Sequence, residues 1–220
     1  MPKLDIIKET KHWLAINKQA GLIVERSPYE TPTIETLVEE YLSQQYRNPY
    51  IGIVHRLDRV TSGVLIVAKK KSVLRKLNEQ FRERSVQKIY FAIVENEPAQ
   101  QEATLKHWLE KDQKNKRAII HEEQVGNSSE VELTYQVKEK LELGYLLEIK
   151  PKTGKFHQIR AQLAAIGCPI LGDEKYGAKT NYINKAIALH ARKLTIEDTS
   201  TEEKIELIAD FPDDTFWKSY

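Results

Sequence analysis

The spacing of apolar residues along the chain predicts many short strands and few helices. Apolar runs typical of strands fall at 12–17, 64–68, 87–95, 102–109, 117–121, 130–138, 143–150, 187–196 and 204–208. Apolar residues occupy both alternating sides of 87–95, which predicts a strand buried on both faces. Because many strands, some of them consecutive, occur with few helices, the pattern indicates an α+β fold and not a doubly wound α/β fold.

Three segments have apolar residues at helical spacing. The first presents a face formed by Ile34, Leu37, Val38, Tyr41 and Leu42. Thr31-Pro32 is predicted to cap its start and Asn48-Pro49 to end it. Ser72 is predicted to cap the second helix, which turns most of its basic residues outward and its apolar residues inward, namely Leu74, Leu77 and Phe81. The third helix covers about 156–166, with Gly167 placed to end it and an apolar stripe of Phe156, Ile159, Leu163 and Ile166.

Charge is unevenly distributed along a chain whose net charge is only +2. Residues 67–88 contain eight basic and two acidic residues, a local balance of +6, whereas the last 26 residues have a balance of −6. The stretch 149–160 holds four cations and no acid: Lys150, Lys152, Lys155 and Arg160. A chain with such segregation can present a basic face to a polyanion. Charge alone fits RNA or DNA binding and an ordinary solvated surface equally well.

The rest of the composition limits the classes of protein that this chain can belong to. Its 220 residues suit one large domain or two small lobes that share a core. No apolar stretch approaches the roughly 18 residues of a membrane span, and the N-terminal residues contain no apolar signal-peptide region. Cys168 is the only cysteine, which excludes an internal disulfide, argues against a zinc cluster and favours a reducing, cytoplasmic setting.

The polar loop from His55 to Gly63 is the first candidate for chemistry. It lies between the apolar runs 51–54 and 64–68, an arrangement that presents a side chain on a rigid support. Asp58 stands between Arg56 and Arg59, and nearby cations favour an ionised carboxylate, which suits a nucleophile or a base. The alternative is that Asp58 and Ser62 only make hydrogen bonds within a turn.

Residues 150–160 and Tyr90 are further candidates. A glycine-containing turn leads into the third helix, where Arg160 lies off the apolar stripe and faces either a cleft or solvent. The Thr-Gly-Lys sequence is not a P-loop, because Phe156 stands where Ser or Thr is needed and the upstream glycine is missing.

Tyr90 is either a core residue or a ring on which a flipped base stacks. The histidines lack metal-ligand spacing, no nucleophile elbow or dinucleotide fingerprint occurs, and Cys168 is expected to be structural.

Four segments, taken together and in order, resemble the RluA family of RNA pseudouridine synthases over about residues 10–195. HRLDRVTSGVLIVAKK (55–70) is similar to the signature loop of the family, and QKIYFAIV (87–94) to the strand with its active-site tyrosine. LLEIKPKTGKFHQIRAQLAAIGCPILGDEKYG (146–177) is similar to the third motif, and ALHARKL (188–194) to a late strand. The first motif is specific by itself, and the third at the right distance strengthens it.

The resemblance implies a role for each matching residue. Asp58 would be the catalytic carboxylate, Arg160 the basic residue that pairs with it, and Tyr90 the active-site tyrosine. Leu189 would pack at the site, and RNA contacts would come from Arg56, Arg59, Lys150, Lys155 and His157. The chain would be a single catalytic domain over residues 1–220, a mixed, mainly antiparallel sheet with flanking helices and a central basic cleft.

The resemblance also implies what the protein works on and what it does not need. The substrate would be ribosomal or transfer RNA in a stem-loop, with no cofactor, metal, membrane or DNA, and the protein would be a cytoplasmic monomer. Only 54 residues precede His55, and they resemble the start of the catalytic domain, so no S4 RNA-binding domain is expected.

Three positions depart from the family pattern: Lys18-Gln19-Ala20-Gly21 replaces Lys-Pro-x-Gly, Lys155 replaces an arginine, and Gln162 stands where a histidine is frequent. The last two leave the details of RNA contact open.

Two other functions remain as alternatives. One is a noncatalytic RNA-binding factor with the same fold. The other is a carboxylate-dependent hydrolase, which needs a second carboxylate; Asp173 and Glu174 are the only acids near a motif, and their turn suggests a structural role.

Overall fold

The structure is a computed structural model that describes residues 3–217. Its strands are β1 (Ile6–Glu9), β2 (Trp13–Lys18), β3 (Gly52–Ile53), β4 (Ser62–Ala68), β5 (Gln87–Val94), β6 (Glu102–Asp112), β7 (Arg117–His121), β8 (Ser129–Leu141), β9 (Gly144–Pro151), β10 (Leu189–Glu197) and β11 (Lys204–Ile208). Its helices are α1 (Ile34–Ser43), α2 (Lys71–Arg82) and α3 (Gln158–Ala165), with a 3₁₀ turn at Glu174–Tyr176. The chain divides into two compact units: Ile89–Leu189, and the segments before and after it.

The first unit is organised around β4, all of whose residues are buried. β2 pairs with β4 in antiparallel register, Trp13 opposite Ala68, and β1 pairs with β2. β10 runs parallel to β4, with His190 opposite Ser62, and β11 pairs with the distal part of β10. β3 pairs with the end of β4, so the segment 54–61 is the loop of a β3–β4 hairpin. The helix α2 covers this sheet and contributes Val73 and Leu77 to its core.

The caps predicted for the first two helices are wrong, although the helices themselves are confirmed. Thr33, not Thr31, caps α1. The hydroxyl of Thr33 accepts a hydrogen bond from the main-chain N–H of Thr36, and the hydroxyl of Thr36 accepts one from the main-chain N–H of Thr33. This reciprocal capping box outcompetes the Thr-Pro pair two residues earlier. α1 ends at Ser43, before Asn48-Pro49. Lys70 occupies the cap position of α2 without a side-chain cap, and Ser72 lies inside the helix.

The second unit is an antiparallel meander packed on one helix. Its strands lie in the order β5-β9-β8-β6-β7, and every neighbouring pair is antiparallel. Helix α3 packs on this sheet through Ala161, which shares a core with Leu109, Ala118 and Val131. Gly167 follows the helix with a φ of +77°, as the predicted terminating glycine requires. Phe156 is not on the apolar face as predicted, because α3 begins two residues later and its ring is 37% exposed.

The α+β fold is confirmed, and all nine predicted strands are present. β1 and β3 were not predicted, because four and two residues carry too little pattern. In β5 only Ala92, Ile93 and Val94 are fully buried, so the expectation of two buried faces holds for its second half alone. Within residues 3–217, none of the helices has the length and apolar character needed to cross a membrane.

Candidate active site

A buried lysine holds the loop that carries Asp58 through hydrogen bonds to its main chain. Lys18 lies at the end of β2, is 1% exposed, and donates through Nζ to the main-chain oxygens of Gln19 (3.0 Å), Arg59 (3.3 Å) and Thr61 (2.8 Å). Burial lowers the pKa of Lys18 to about 7, and the negative charge of Asp58 opposes that shift. One amino group therefore ties β2 to the main chain on the C-terminal side of Asp58 and contributes positive charge near its carboxylate.

The two arginines beside Asp58 are braced against the preceding segment. Arg56 donates to Glu25, and Arg59 forms an ion pair with Glu30 and donates through Nε to the main-chain oxygen of Gly21 at 3.1 Å. Both arginines remain partly open to solvent, with 67% and 39% of their side chains exposed. Exposed ion pairs are weak, so an incoming phosphate can replace the acids as partner of either guanidinium.

The start of the loop is fixed by His55. Its ring stacks on Phe81 of α2 with centroids 4.9 Å apart, and its Nε2 accepts a hydrogen bond from the main-chain N–H of Ile66 at 3.3 Å. Burial and the charge of Lys88 lower the pKa of His55 to about 3, so the imidazole is neutral and can accept this bond. The loop is thus anchored to both α2 and β4.

The end of the loop is fixed by a second histidine. His190 of β10 donates through Nε2 to the main-chain oxygen of Ala209 (3.3 Å), which leaves Nδ1 to accept from the hydroxyl of Ser62 (2.9 Å). Burial lowers the pKa of His190 to about 4, which keeps the ring neutral. The turn itself is closed by a main-chain bond from Thr61 to Asp58. Ser62 and the main chain of Asp58 therefore both take part in holding the turn.

In the second unit, Arg160 is buried and held by Asp173. Their side chains are 5% and 2% exposed, and Arg160 donates from Nε to one carboxylate oxygen (2.7 Å) and from Nη2 to the other (2.8 Å). The prediction left open whether Arg160 faces a cleft or solvent; in the structure it is a buried cation whose guanidinium also lies over the ring of Tyr176 at 5.1 Å. The bidentate pair fixes the guanidinium plane and uses two of its five N–H donors.

His157 lies at the turn that precedes α3 and has left-handed backbone geometry, with a φ of +52°. The hydroxyl of Tyr176 accepts a hydrogen bond from the main-chain N–H of Ala118 (2.7 Å) and shares a second hydrogen bond with Nδ1 of His157 at 3.0 Å. Phe156 stacks on the other side of His157 with centroids 3.8 Å apart, and Lys111 lies over the Phe156 ring. The turn therefore presents a partly exposed pair of rings on a firm hydrogen-bonded base.

The lysines near this turn differ in their surroundings. Lys150 pairs with Glu148 at 2.9 Å and Lys152 with Glu132 at 3.2 Å, both on the surface, whereas Lys155 is exposed in the turn itself. Gln162, one of the departures from the family pattern, is fully buried and donates to the main-chain oxygen of Leu105 at 3.2 Å. The amide of Gln162 therefore ties α3 to β6 in the interior.

Tyr90 and Leu189 are placed by strands. Tyr90 lies in β5 opposite Ile149 of β9 and is partly buried, while Leu189 begins β10 and is 4% exposed. Of the predicted site residues, Asp58, Arg56 and Arg59 belong to the first unit; the second contains Tyr90, Lys150, Lys155, His157, Arg160 and Leu189.

Sequence reasoning missed the residues that support these side chains. Lys18 was noted only as part of a departing motif, although a lysine that ends an apolar strand is a usable signal for a buried cation. Asp173 was assigned a structural role without a partner, and His190 was not singled out. Among residues 3–217 no group of three or more His, Cys, Asp or Glu is arranged to hold a metal ion.

Comparison with known proteins identifies the family. The sequence profile of the family described as RNA pseudouridylate synthase matches residues 12–165. This chain belongs to that family, which isomerises uridine to pseudouridine in RNA, and the resemblance to its RluA branch is confirmed.

Named relatives extend the match along nearly the whole chain. A ribosomal large subunit pseudouridine synthase C from Rickettsia prowazekii is 33% identical over 210 residues, covering 94% of this chain and 68% of that protein. The protein of the same name from Vibrio parahaemolyticus is 36% identical over 211 residues, covering 93% of this chain and 64% of that protein. The chain thus spans about two thirds of the length of these relatives.

Solved structures give the same fold. Human RNA Pseudouridylate Synthase Domain Containing 4 superimposes with a TM-score of 0.79 at 25% identity, covering 95% of this chain and 89% of that one. Human RNA Pseudouridylate Synthase Domain Containing 1 superimposes with a TM-score of 0.75 at 25% identity, covering 96% and 84%. The predicted pseudouridine synthase fold is therefore confirmed.

Proposed function

We propose that this chain is an isomerase that converts specific uridines of ribosomal or transfer RNA stem-loops to pseudouridine, with Asp58 as its catalytic carboxylate. Family membership supports the reaction, and the similarity to proteins named ribosomal large subunit pseudouridine synthase C favours ribosomal RNA. The lone Cys168 is buried, and burial raises its pKa, which fits a structural thiol in a cytoplasmic protein. We further propose that the protein acts as a monomer and as a single catalytic domain.

The reaction defines what the residues must do. The bond between N1 of uracil and C1′ of the ribose breaks, a bond between C5 and C1′ forms, the proton on C5 leaves to solvent, and N1 takes up a proton. No electron is gained or lost, so a positioned, ionised carboxylate is the central requirement. Asp58 attacks the nucleoside, either at C1′ or on the base, and is regenerated when the rejoined base is released.

The observation that supports this role is the bracing of the loop around Asp58. Lys18 holds the main chain after it, while His55 and Ser62 hold the two ends of the loop. Catalysis requires reacting groups held within a fraction of an ångström, and such support supplies that precision. Asp58 is partly exposed on this support. An aspartate needed only for the turn would not call for so many anchors.

The remaining roles follow the family motifs residue by residue. Tyr90 stacks on the flipped base and assists proton transfer at C5, and Leu189 packs beside it. Arg160 takes the part of the basic residue of the third motif, and Asp173 orients it. RNA contacts come from Arg56, Arg59, Lys150, Lys155 and His157, and Arg56 helps displace the base from its stack.

Exchange of Asp58 for asparagine tests the proposal. RNA transcribed with tritium at C5 of uridine releases the label when the C5 proton is lost, so ribosomal and transfer RNA transcripts report turnover directly. We expect Asp58→Asn to abolish release while the fold and most of the RNA affinity persist. Asp5→Asn, an exposed exchange of the same kind in the same unit, should leave the rate unchanged. Tritium release by a folded Asp58→Asn protein would remove Asp58 from the mechanism.

The same experiment separates the two alternative functions. Tight RNA binding without tritium release by the unmodified protein would identify a noncatalytic RNA-binding factor. Strand scission would identify a hydrolase, but the candidate second carboxylate does not favour that reaction. Asp173 is 2% exposed and accepts two hydrogen bonds from Arg160, so both of its oxygens are already engaged by the guanidinium.

A further inference from the structure

The eight basic residues of 67–88 separate into two groups by their contacts. Lys69 binds Glu9 at 2.7 Å with only 6% of its side chain exposed, Lys76 donates to the main-chain oxygen of Thr199 at 3.0 Å, and burial lowers the pKa of Lys88. These three cations are engaged in contacts within the protein or partly buried in it. The others are exposed: Lys70, Lys71, Arg75, Arg82 and Arg84.

Three of the exposed cations form a line along α2. Lys71, Arg75 and Arg82 are separated by four and seven residues, so at about 100° per residue they lie within roughly 40° of one another around the helix axis. We call them the α2 basic stripe. It spans the twelve residues of the helix, with about 16 Å between its first and last residues at 1.5 Å per residue, which is long enough to contact more than one phosphate. Glu79 pairs with Arg82 at 2.9 Å, but both side chains are more than half exposed and the pair exchanges readily.

The flank of α2 on which this stripe lies is set by the packing of the helix. On one flank Leu74 packs against Gly52 and Phe81 stacks on His55, so this flank faces the segment that leads into the Asp58 loop. On the opposite flank Gln80 and Lys76 bind the main chain at 197–199. The centre of the stripe lies roughly 90° from the Leu74–Phe81 flank and roughly 140° from the other. The stripe therefore lies on the solvent-facing side of the helix, nearer to the flank that supports the Asp58 loop than to the other flank.

The first turn of α2 also carries positive charges that destabilise the helix. Lys70 and Lys71 occupy the cap and first positions, where the N–H groups already create positive potential, and the first turn holds no acid and no side-chain cap. Cations at this end destabilise a helix, and an anion there stabilises it. The sequence therefore maintains positive charge here at the expense of the helix.

We propose that the α2 basic stripe binds the phosphate backbone of the RNA that carries the target uridine, beside the loop that presents Asp58. The identity of that RNA rests on the proposed function, but backbone attraction does not depend on sequence. The stripe adds to the contacts expected from the signature loop and the third motif. The stripe binds RNA through its charge and spacing, and it takes no part in the isomerisation itself.

The test exchanges all three residues of the α2 basic stripe for glutamine. It compares how strongly the RNA affinity of this variant and of the unmodified protein depends on salt concentration. A labelled RNA stem-loop of arbitrary sequence is the probe, and its dissociation constant is measured from low to moderate salt. Each lost phosphate contact reduces the slope of log K against log salt by about 0.7–0.9, so we expect a reduction of about 2. The control removes three other exposed lysines of the same unit that are not on α2, Lys3, Lys8 and Lys11, and changes net charge by the same amount.

The outcomes are distinct. A smaller slope for the stripe variant alone supports the proposal, and the variant should unfold at no lower temperature because repulsion at the start of α2 is relieved. An unchanged slope, or an equal loss in the control, overturns it, because binding would then ignore the stripe or respond only to net charge. If the unmodified protein proves to bind RNA without forming pseudouridine, the proposed function fails, while the comparison of slopes still decides the role of the stripe.

Discussion

Replacing Lys18 by methionine should weaken both the fold and the reaction, and the size of the effect should depend on pH. Methionine keeps the unbranched apolar stem but leaves the main-chain oxygens of Gln19 and Thr61 without the donor that lies 3.0 and 2.8 Å away. A buried acceptor left without a partner costs about 1 kcal/mol or more. We therefore expect the free energy of unfolding at pH 7 to fall by about 2 kcal/mol.

The pKa of Lys18 makes this loss grow as the pH rises. In the folded protein that pKa is lowered to about 7, whereas an unfolded lysine titrates near 10.5. Between these values the unfolded chain binds more protons at Lys18 than the folded one, so the contribution of Lys18 to stability increases with pH. From pH 7 to 9.5 the difference in unfolding free energy between the two proteins should widen by about 3 kcal/mol.

Urea unfolding at a series of pH values measures this difference, and tritium release at pH 7 measures the reaction. Loss of the anchor should lower kcat by about 100-fold with little change in KM, because misplacement of a catalytic group by about 1 Å has that effect. Lys11→Met, an exposed exchange in the same unit, should change neither quantity appreciably. A difference in unfolding free energy that stays constant from pH 7 to 9.5 would show that Lys18 keeps its proton in the fold and refute the reasoning.

Two further exchanges test other supports of the site. Asp173→Asn removes the carboxylate charge that holds the buried guanidinium of Arg160 and should lower kcat at least tenfold with little change in RNA affinity, whereas exchange of the exposed Glu174 for glutamine should be neutral in single-turnover assays. Gly63→Ala should prevent stable folding, because φ is +115° and the added Cβ would overlap the main chain of Ala191. The same exchange at Gly126, which has a positive φ but open space, should cost about 1–2 kcal/mol by urea unfolding.

Apolar periodicity predicted the regular elements well because burial of one face is a strong and local signal. β4 reads as an uninterrupted apolar run, and all of it is buried. Helix ends were predicted less well because capping is decided by competition among nearby polar residues. Thr31 and Thr33 have the same hydroxyl, and only the reciprocal bonds with Thr36 select Thr33. Phe156 fits helical spacing but stacks on His157 before the helix begins.

The candidate site was predicted through its motifs, whereas its supports needed coordinates. Arg160 was found from sequence similarity, but its partner Asp173 lies thirteen residues later, across a turn with no periodic pattern. Lys18 and Thr61 are 43 residues apart, and the bond between them depends on the pairing of β2 with β4. Contacts of this kind arise from strand register, which the sequence of either strand alone does not specify.

The placement of β10 has a consequence for biosynthesis. β4 receives its parallel neighbour from residues 190 and 191, more than 120 positions after the Asp58 loop has left the ribosome, and His190 then supplies the bond to Ser62. Residues 89–189 contain their own sheet and can pack while synthesis continues, since compact parts of a nascent chain fold as they emerge. The end of the loop therefore gains this anchor only after residue 190 has been synthesised, so shorter translation products lack that support for Asp58.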